Sequence, residues 1–173
     1  MIILILNHCD ECSTWGIKKW NTYRIAYFSD PKNELPLKKD GWQFTWKKLG
    51  QIEGAECYKL TKISTPNVVE GMLMLTLVNE EMLYMNNIEV APHNFGSNGK
   101  YERVAASLLA FACYKSFDVG QNHYLGFLSF ESKTQLMELY QNKYGATHAM
   151  GQKMFFDQNA GKALIKKYLA IEI

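Results

Sequence analysis

The sequence predicts a mixed α+β fold, a mostly antiparallel sheet carrying helices, and three observations predict it. Ala55–Ile63, Val68–Val78 and Met82–Val90 read as consecutive strands across short turns, which implies an antiparallel meander. Val104, Ala105, Leu108, Phe111 and Ala112 then recur at helical spacing, and an apolar strand follows at Tyr124–Phe130. A strand, a helix and a second strand imply a parallel crossover pair. A further helical pattern over Thr134–Tyr144 stops at Gly145, where a helix C-terminus favours positive φ.

From the N-terminus, Met1–Leu6 is apolar but short, lacks a preceding basic segment and runs into polar Asn7–Asp10, so it reads as a strand and not a signal peptide. Ser29–Gly41, with Pro31, Pro36 and several charges, reads as a long loop. Trp42, Phe44 and Trp46 alternate with polar residues before Lys47–Gly50, a pattern shared by a short strand and the edge of a helix. Ser64–Asn67 is a turn, because Pro66 presets φ and Asn67 tolerates turn geometry, and Asn79–Glu81 makes the next one. Pro92 ends the Ile88–Val90 alternation by removing an amide hydrogen. The helix follows over about 101–117, after the His93–Gly99 loop. Thr147–Phe156 reads as a strand, and Asp157 or Asn159 caps a last helix bearing Ala163, Leu164 and Tyr168.

At 173 residues, with 47% apolar and 13% aromatic content, the chain is expected to form one domain over residues 1–173. Nineteen basic residues against 17 acidic ones give a net charge of +2, which argues against a dedicated polyanion binder, so no nucleic-acid partner is expected. Trp15, Trp20, Trp42 and Trp46 fit core or groove wall better than a base-stacking platform at this charge. No apolar stretch approaches the ~20 residues that cross a bilayer, so no membrane association is expected. Cys9 and Cys12 form a lone CxxC beside His8, but without a second pair at matching spacing no metal is expected. Four irregularly spaced cysteines suggest no disulfide framework, and the cytoplasm is the expected location.

The stretch from Met85 to Ala112 joins a strand to an amphipathic helix through a polar loop. A helix start leaves about four N–H groups without intrahelical partners and carries roughly half a positive charge. Such an end can hold a phosphate. Lys100 and Arg103 add cations on the same turn, and Ala105 leaves room for a close ligand. A solvated helix start with two surface cations has the same pattern, and this stretch alone does not separate the two.

With a second motif downstream, the chain resembles the GNAT superfamily of acyl-CoA N-acyltransferases. Val90-Ala91-Pro92, Lys100-Tyr101-Glu102-Arg103-Val104-Ala105 and Leu108-Leu109 are similar to the family's strand end, pyrophosphate loop and Leu-Leu pair. Leu139-Tyr140-Gln141-Asn142-Lys143-Tyr144-Gly145-Ala146 is similar to its Phe/Leu-Tyr-Glu-Lys-x-Gly-Phe signature. The match spans about 55–168, leaving 1–54 as acceptor-side elements. Lys100 stands where Arg or Gln is usual, Arg103 replaces the first glycine, and Lys133 stands where an asparagine is common. The resemblance implies a mostly antiparallel sheet of about six to seven strands, helices on both faces and a splayed parallel pair at the cofactor site.

It further implies acetyl-CoA as co-substrate, with no metal, and direct acyl transfer to a primary amine on a small molecule or peptide by a monomer or homodimer. Ile88, Val90, Lys100, Tyr101, Glu102, Arg103, Val104, Ala105 and Lys133 fall at cofactor-binding positions, and the N–H near Val90 would bond the acetyl carbonyl. Tyr140 lies at the general-acid position, and a phenol of ordinary pKa about 10 can protonate a departing thiolate. Its apolar helical face equally suits a core tyrosine. The family does not fix the base. Tyr84, Asn86, Glu89 and His93 lie on or beside the strand, with Glu89 as its only carboxylate and Asn86 able to position a water. By alternation from Val90, Glu89 points to the other face, and His93 follows Pro92 into the loop. The alternative on the same fold is a noncatalytic acyl-CoA-binding or protein-interaction module.

Overall fold

The structure, a computed structural model, describes residues 3–11, 18–27, 35–96, 99–101 and 103–173, and in the first two segments Ile25 is the one side chain described. Among the described residues, eight strands form one sheet in the order β1-β2-β3-β4-β5-β6-β8-β7. They are β1 (Ile3–Glu11), β2 (Lys18–Tyr27), β3 (Ala55–Lys62), β4 (Thr65–Val78), β5 (Met82–Val90), β6 (Leu128–Glu131), β7 (Thr147–His148) and β8 (Lys153–Phe156). Antiparallel pairing joins β1 to β2 from Ile3↔Ala26 to Glu11↔Lys18, and β2 to β3 from Tyr23↔Lys62 to Tyr27↔Tyr58. Both β6 and β7 pair antiparallel with β8. The parallel pair is β5 with β6, as the strand-helix-strand order requires. The helices are α1 (Trp46–Leu49), α2 (Val104–Val119), α3 (Met137–Tyr144) and α4 (Gln158–Leu169). The expected mixed, mostly antiparallel fold class is present.

Backbone proximity groups residues 1–73 with 88–108, and residues 74–87 with 109–173. In the first unit, Trp46, Tyr58, Leu60, Met72, Leu73, Val104 and Leu108 are buried. The Trp42–Trp46 alternation resolves as a lead into α1, with Trp46 only 1% exposed. The first turns of α2 come close to β4 at Gly71. A Cβ there would lie 2.8 Å from Leu108 Cδ1, 2.8 Å from Val104 Cγ1 and 3.2 Å from the Glu89 carbonyl oxygen. Gly71→Ala is therefore expected to destabilise the protein by about 1–3 kcal/mol, as overpacking does. A denaturant midpoint matching the wild type would show that the first turns of α2 have slack.

In the second unit, the aromatic pairs Phe127–Phe155 and Phe130–Phe156 stack at 4.8 and 5.3 Å. A Cβ on Gly161 would lie 3.4 Å from the Phe117 ring and 3.5 Å from Cys113 Cβ, so α4 packs directly on the end of α2. Asp157 caps α4, its carboxylate accepting the Ala160 N–H at 2.8 Å. Gly145 ends α3 at φ +77°, the left-handed C-cap that its position predicts.

Several expected boundaries move, each for a local reason. The β3–β4 turn falls at Ile63–Ser64, and Pro66 is the second residue of β4, near the strand start where proline is tolerated. Asn79 and Glu80 both take positive φ, at 51° and 61°, the paired left-handed geometry of a tight hairpin. Instead of one strand over Tyr124–Phe130, Asn122–Tyr124 is a 3₁₀ turn, and Gly126 at φ +72° redirects the chain into β6. Gly151 at φ +61° likewise splits Thr147–Phe156 into the β7–β8 hairpin. Thr134–Leu136 is 3₁₀, and α3 proper begins at Met137. The second strand, Lys18–Tyr27, carried no clear pattern in the sequence. The Cys9 and His8 side chains, Cys12, and the first part of the Ser29–Gly41 loop lie outside the described residues.

Candidate functional site

The polar loop after β5 folds back onto a buried carboxylate. Glu70 on β4 is 1% exposed, and its Oε2 bonds His93 Nε2 at 2.6 Å and accepts from Asn94 Nδ2 at 2.9 Å. The Ala91 N–H donates to the Glu70 carbonyl at 2.8 Å, and the Lys100 N–H to the His93 carbonyl at 2.9 Å. Asn94 Oδ1 accepts the Tyr101 N–H at 3.1 Å. A Cβ on Gly99 would sit 2.6 Å from the Asn94 carbonyl oxygen, so a glycine is needed for the loop to close this tightly. Sequence reasoning missed Glu70 and Asn94, because both act through partners distant along the chain.

The loop delivers Arg103 in a left-handed conformation, φ 70°, and the Ser107 N–H donates to its carbonyl at 2.8 Å. Arg103 is thus the residue before the first turn. α2 begins at Val104, later than the expected 101–103, because a left-handed residue cannot continue a right-handed helix. The N–H groups of Val104, Ala105 and Ala106 consequently have no carbonyl one turn back. The Val104 side chain is buried and Ala105 half-buried, so this end presents mainly backbone.

Cations gather at the same end. Lys100 and Arg103 are exposed. Lys62, the last residue of β3, donates to Tyr101 Oη at 3.1 Å, and its Nζ lies 4.6 Å from the ring centroid. Lys100 Nζ lies 5.3 Å from the same ring. Lys62 is a candidate that sequence reasoning missed, since only the strand register brings residues 62 and 101 together. Glu102 lies outside the described residues.

On β5, Ile88 and Val90 are half-buried, whereas Glu89 is 5% exposed on the opposite face, as alternation predicts. Its carboxylate accepts the Gln43 and Phe44 N–H groups and Trp46 Nε1–H at 2.8 Å. Three donors occupy it, so Glu89 anchors the segment entering α1. Asn86 is exposed and accepts from Thr76 Oγ1 at 2.8 Å. The parallel register with β6 ends at Met85↔Phe130, and β5 runs on to Val90 past its last residue paired with β6.

In the second unit, the Tyr140 ring packs 4.9 Å from Phe130 and 6.0 Å from Tyr144. Burial pushes its phenol pKa above the ordinary value, which keeps the proton on the oxygen. Burial, then Tyr168 and Tyr140, raise Tyr144 to about 12. Tyr84 is also raised, first by burial and then by the Glu131 charge. Lys133 is exposed just before the 3₁₀ turn. Ile88, Glu89, Val90 and the Lys100–Ala105 segment therefore belong to the first unit, and Asn86, Lys133 and Tyr140 to the second. Among the described residues, no cluster of three or more His, Cys, Asp or Glu is placed to hold a metal ion, and no helix is long and apolar enough to cross a membrane.

No protein-family model and no curated protein matches the sequence. Among solved structures, AtaTR bound with acetyl-CoA is similar at a TM-score of 0.60 and 13% identity, over 82% of this chain and 97% of that one. The KacTA–DNA complex is similar at 0.56 and 12%, over 84% and 99%. A GNAT family acetyltransferase from Elizabethkingia anophelis with acetyl-CoA bound is similar at 0.50 and 17%, over 74% and 78%. At such identities the likeness carries the fold, and the chain has the GNAT acetyltransferase fold. The expectation of no nucleic-acid partner is overturned, since AtaT–AtaR and KacTA are both solved as complexes with DNA. Net charge counts one chain only, and an assembly adds charge from its other members. A near-neutral sequence gives no ground for excluding DNA.

Proposed function

We propose that this protein transfers the acyl group of acetyl-CoA to a primary amine by direct attack. The observation that carries the reading is the start of α2, where the amides of Val104, Ala105 and Ala106 lack intrahelical acceptors beside exposed Lys100 and Arg103. That arrangement fits a diphosphate in charge and donor type. Acetyl-CoA supplies the activated acyl group. The open edge of β5 beside Ile88 and Val90 offers N–H donors for the thioester carbonyl and its developing negative charge. Lys133 is assigned to the cofactor arm and Asn86 to water positioning. Tyr140 keeps its proton at neutral pH and gives it to the departing thiolate. Amines are protonated at neutral pH, so the acceptor must shed a proton before attack, and this step passes through water.

Calorimetric titration with acetyl-CoA and CoA tests the binding, and no heat at millimolar concentration removes the proposal. Replacing Lys100 and Arg103 together with alanine is expected to weaken CoA by about tenfold or more, because two charge-assisted contacts to phosphate are lost. Affinity for pantetheine lacking phosphates should stay unchanged, and equal losses for both ligands would argue against phosphate contact. A noncatalytic acyl-CoA-binding module is the second reading, favoured by Glu89, the strand's carboxylate, which accepts from three donors. Release of free thiol from acetyl-CoA with a panel of amines separates the two.

A further inference from the structure

The first unit holds a grouping that the helix start does not account for. Lys62 comes from β3, not from the loop or α2, yet its ammonium donates to Tyr101 Oη and sits 4.6 Å from the ring centroid. Lys100 approaches the same ring at 5.3 Å, and Arg103 follows it three residues later. No ion pair among the described residues engages Lys62, Lys100 or Arg103. Lys62 and Lys100 both approach the Tyr101 ring with no ion pair to either among the described residues, so a bound anion there is attracted to both charges. Tyr101 is held in place because its N–H donates to Asn94 Oδ1, and Asn94 in turn is bound to buried Glu70. The backbone that carries the ring is therefore tied to the buried Glu70–Asn94 pair.

CoA carries more anionic charge than its diphosphate. Its ribose 3′-phosphate is a monoester with close to two negative charges at neutral pH, and compact ammonium groups suit such a charge. The α2 amides, Lys100 and Arg103 are assigned to the diphosphate, which leaves Lys62 for the monoester. We propose that Lys62, held at the Tyr101 ring, forms a phosphomonoester subsite that selects CoA over 3′-dephospho-CoA. This rests on the reading of the α2 start as a CoA site, and it assigns Lys62 a specificity role.

The test is calorimetry of the full chain with CoA and with 3′-dephospho-CoA, at two salt concentrations. The wild type is expected to prefer CoA by about tenfold, the worth of one charge-assisted contact. In Lys62→Met that ratio should fall toward one with dephospho-CoA affinity unchanged, and Lys62→Arg should restore it. The preference should also shrink at high salt, as exposed charge contacts do. A wild type that binds both ligands equally overturns the subsite while leaving the CoA reading intact. So does a Lys62→Met loss equal for both ligands. A wild type that binds neither removes the CoA reading itself. Matching thermal melts of the variants confirm that each ratio reports on folded protein.

Discussion

Tyr140→Phe is expected to lower turnover about a hundredfold or more, the range of a general acid, with CoA affinity nearly unchanged. The physical basis is burial. Phe130 and Tyr144 flank the ring, and desolvation raises the phenol above its ordinary 10.0, so the group holds its proton through neutral and moderately alkaline pH. A leaving thiolate with a conjugate-acid pKa near 8.5 is then protonated only where the phenol is positioned against it. The sign fixes the pH profile: a raised pKa loses the acid only as pH climbs past that value, so no alkaline fall assignable to Tyr140 should occur below about pH 10. Removing one hydroxyl leaves the ring packing intact, and the melt of the variant should stay close to the wild type. An unaltered rate would remove the acid role.

Glu89→Ala is expected to cost about 3–5 kcal/mol of stability, which is roughly a 10 °C fall in Tm for a chain of this size. The carboxylate is 5% exposed and receives the Gln43 and Phe44 N–H groups and the Trp46 indole. Removing it leaves three donors without their acceptor in a place water barely reaches, and Trp46, 1% exposed, loses its only polar anchor among the bonds described. Glu89→Gln, which keeps one carbonyl acceptor, should fall between the two. Turnover per folded molecule separates anchoring from catalysis. A melt unchanged by Glu89→Ala, with turnover abolished, would reverse the assignment and make Glu89 the base.

Arg103 illustrates how much of the site was legible. Its place in the loop marks the position where the resembled pattern carries a glycine, and the backbone there is left-handed at φ 70° although an arginine occupies it. The conformation is set by what the chain must do to enter α2, and the side chain tolerates it at a cost of about 1 kcal/mol or more. Tyr140 was legible from its motif alone. Its flanking rings were not, because Phe130 reaches it from another element.

Local dihedral preference and apolar periodicity are properties of neighbouring residues, so the sequence alone determined the meander, the strand-helix-strand crossover and the Gly145 and Asp157 caps. Partners distant along the chain are another matter. Tyr101 finds Lys62 across 39 residues, Asn94 finds Glu70 across 24, and Glu89 finds Trp46 across 43. Such pairs depend on strand register and on how the loop closes over Glu70, and a one-residue slip would turn the strand residues Lys62, Glu70 and Glu89 to the opposite face. Only the tertiary structure decided that Glu89 is an anchor and that Lys62 belongs beside the start of α2.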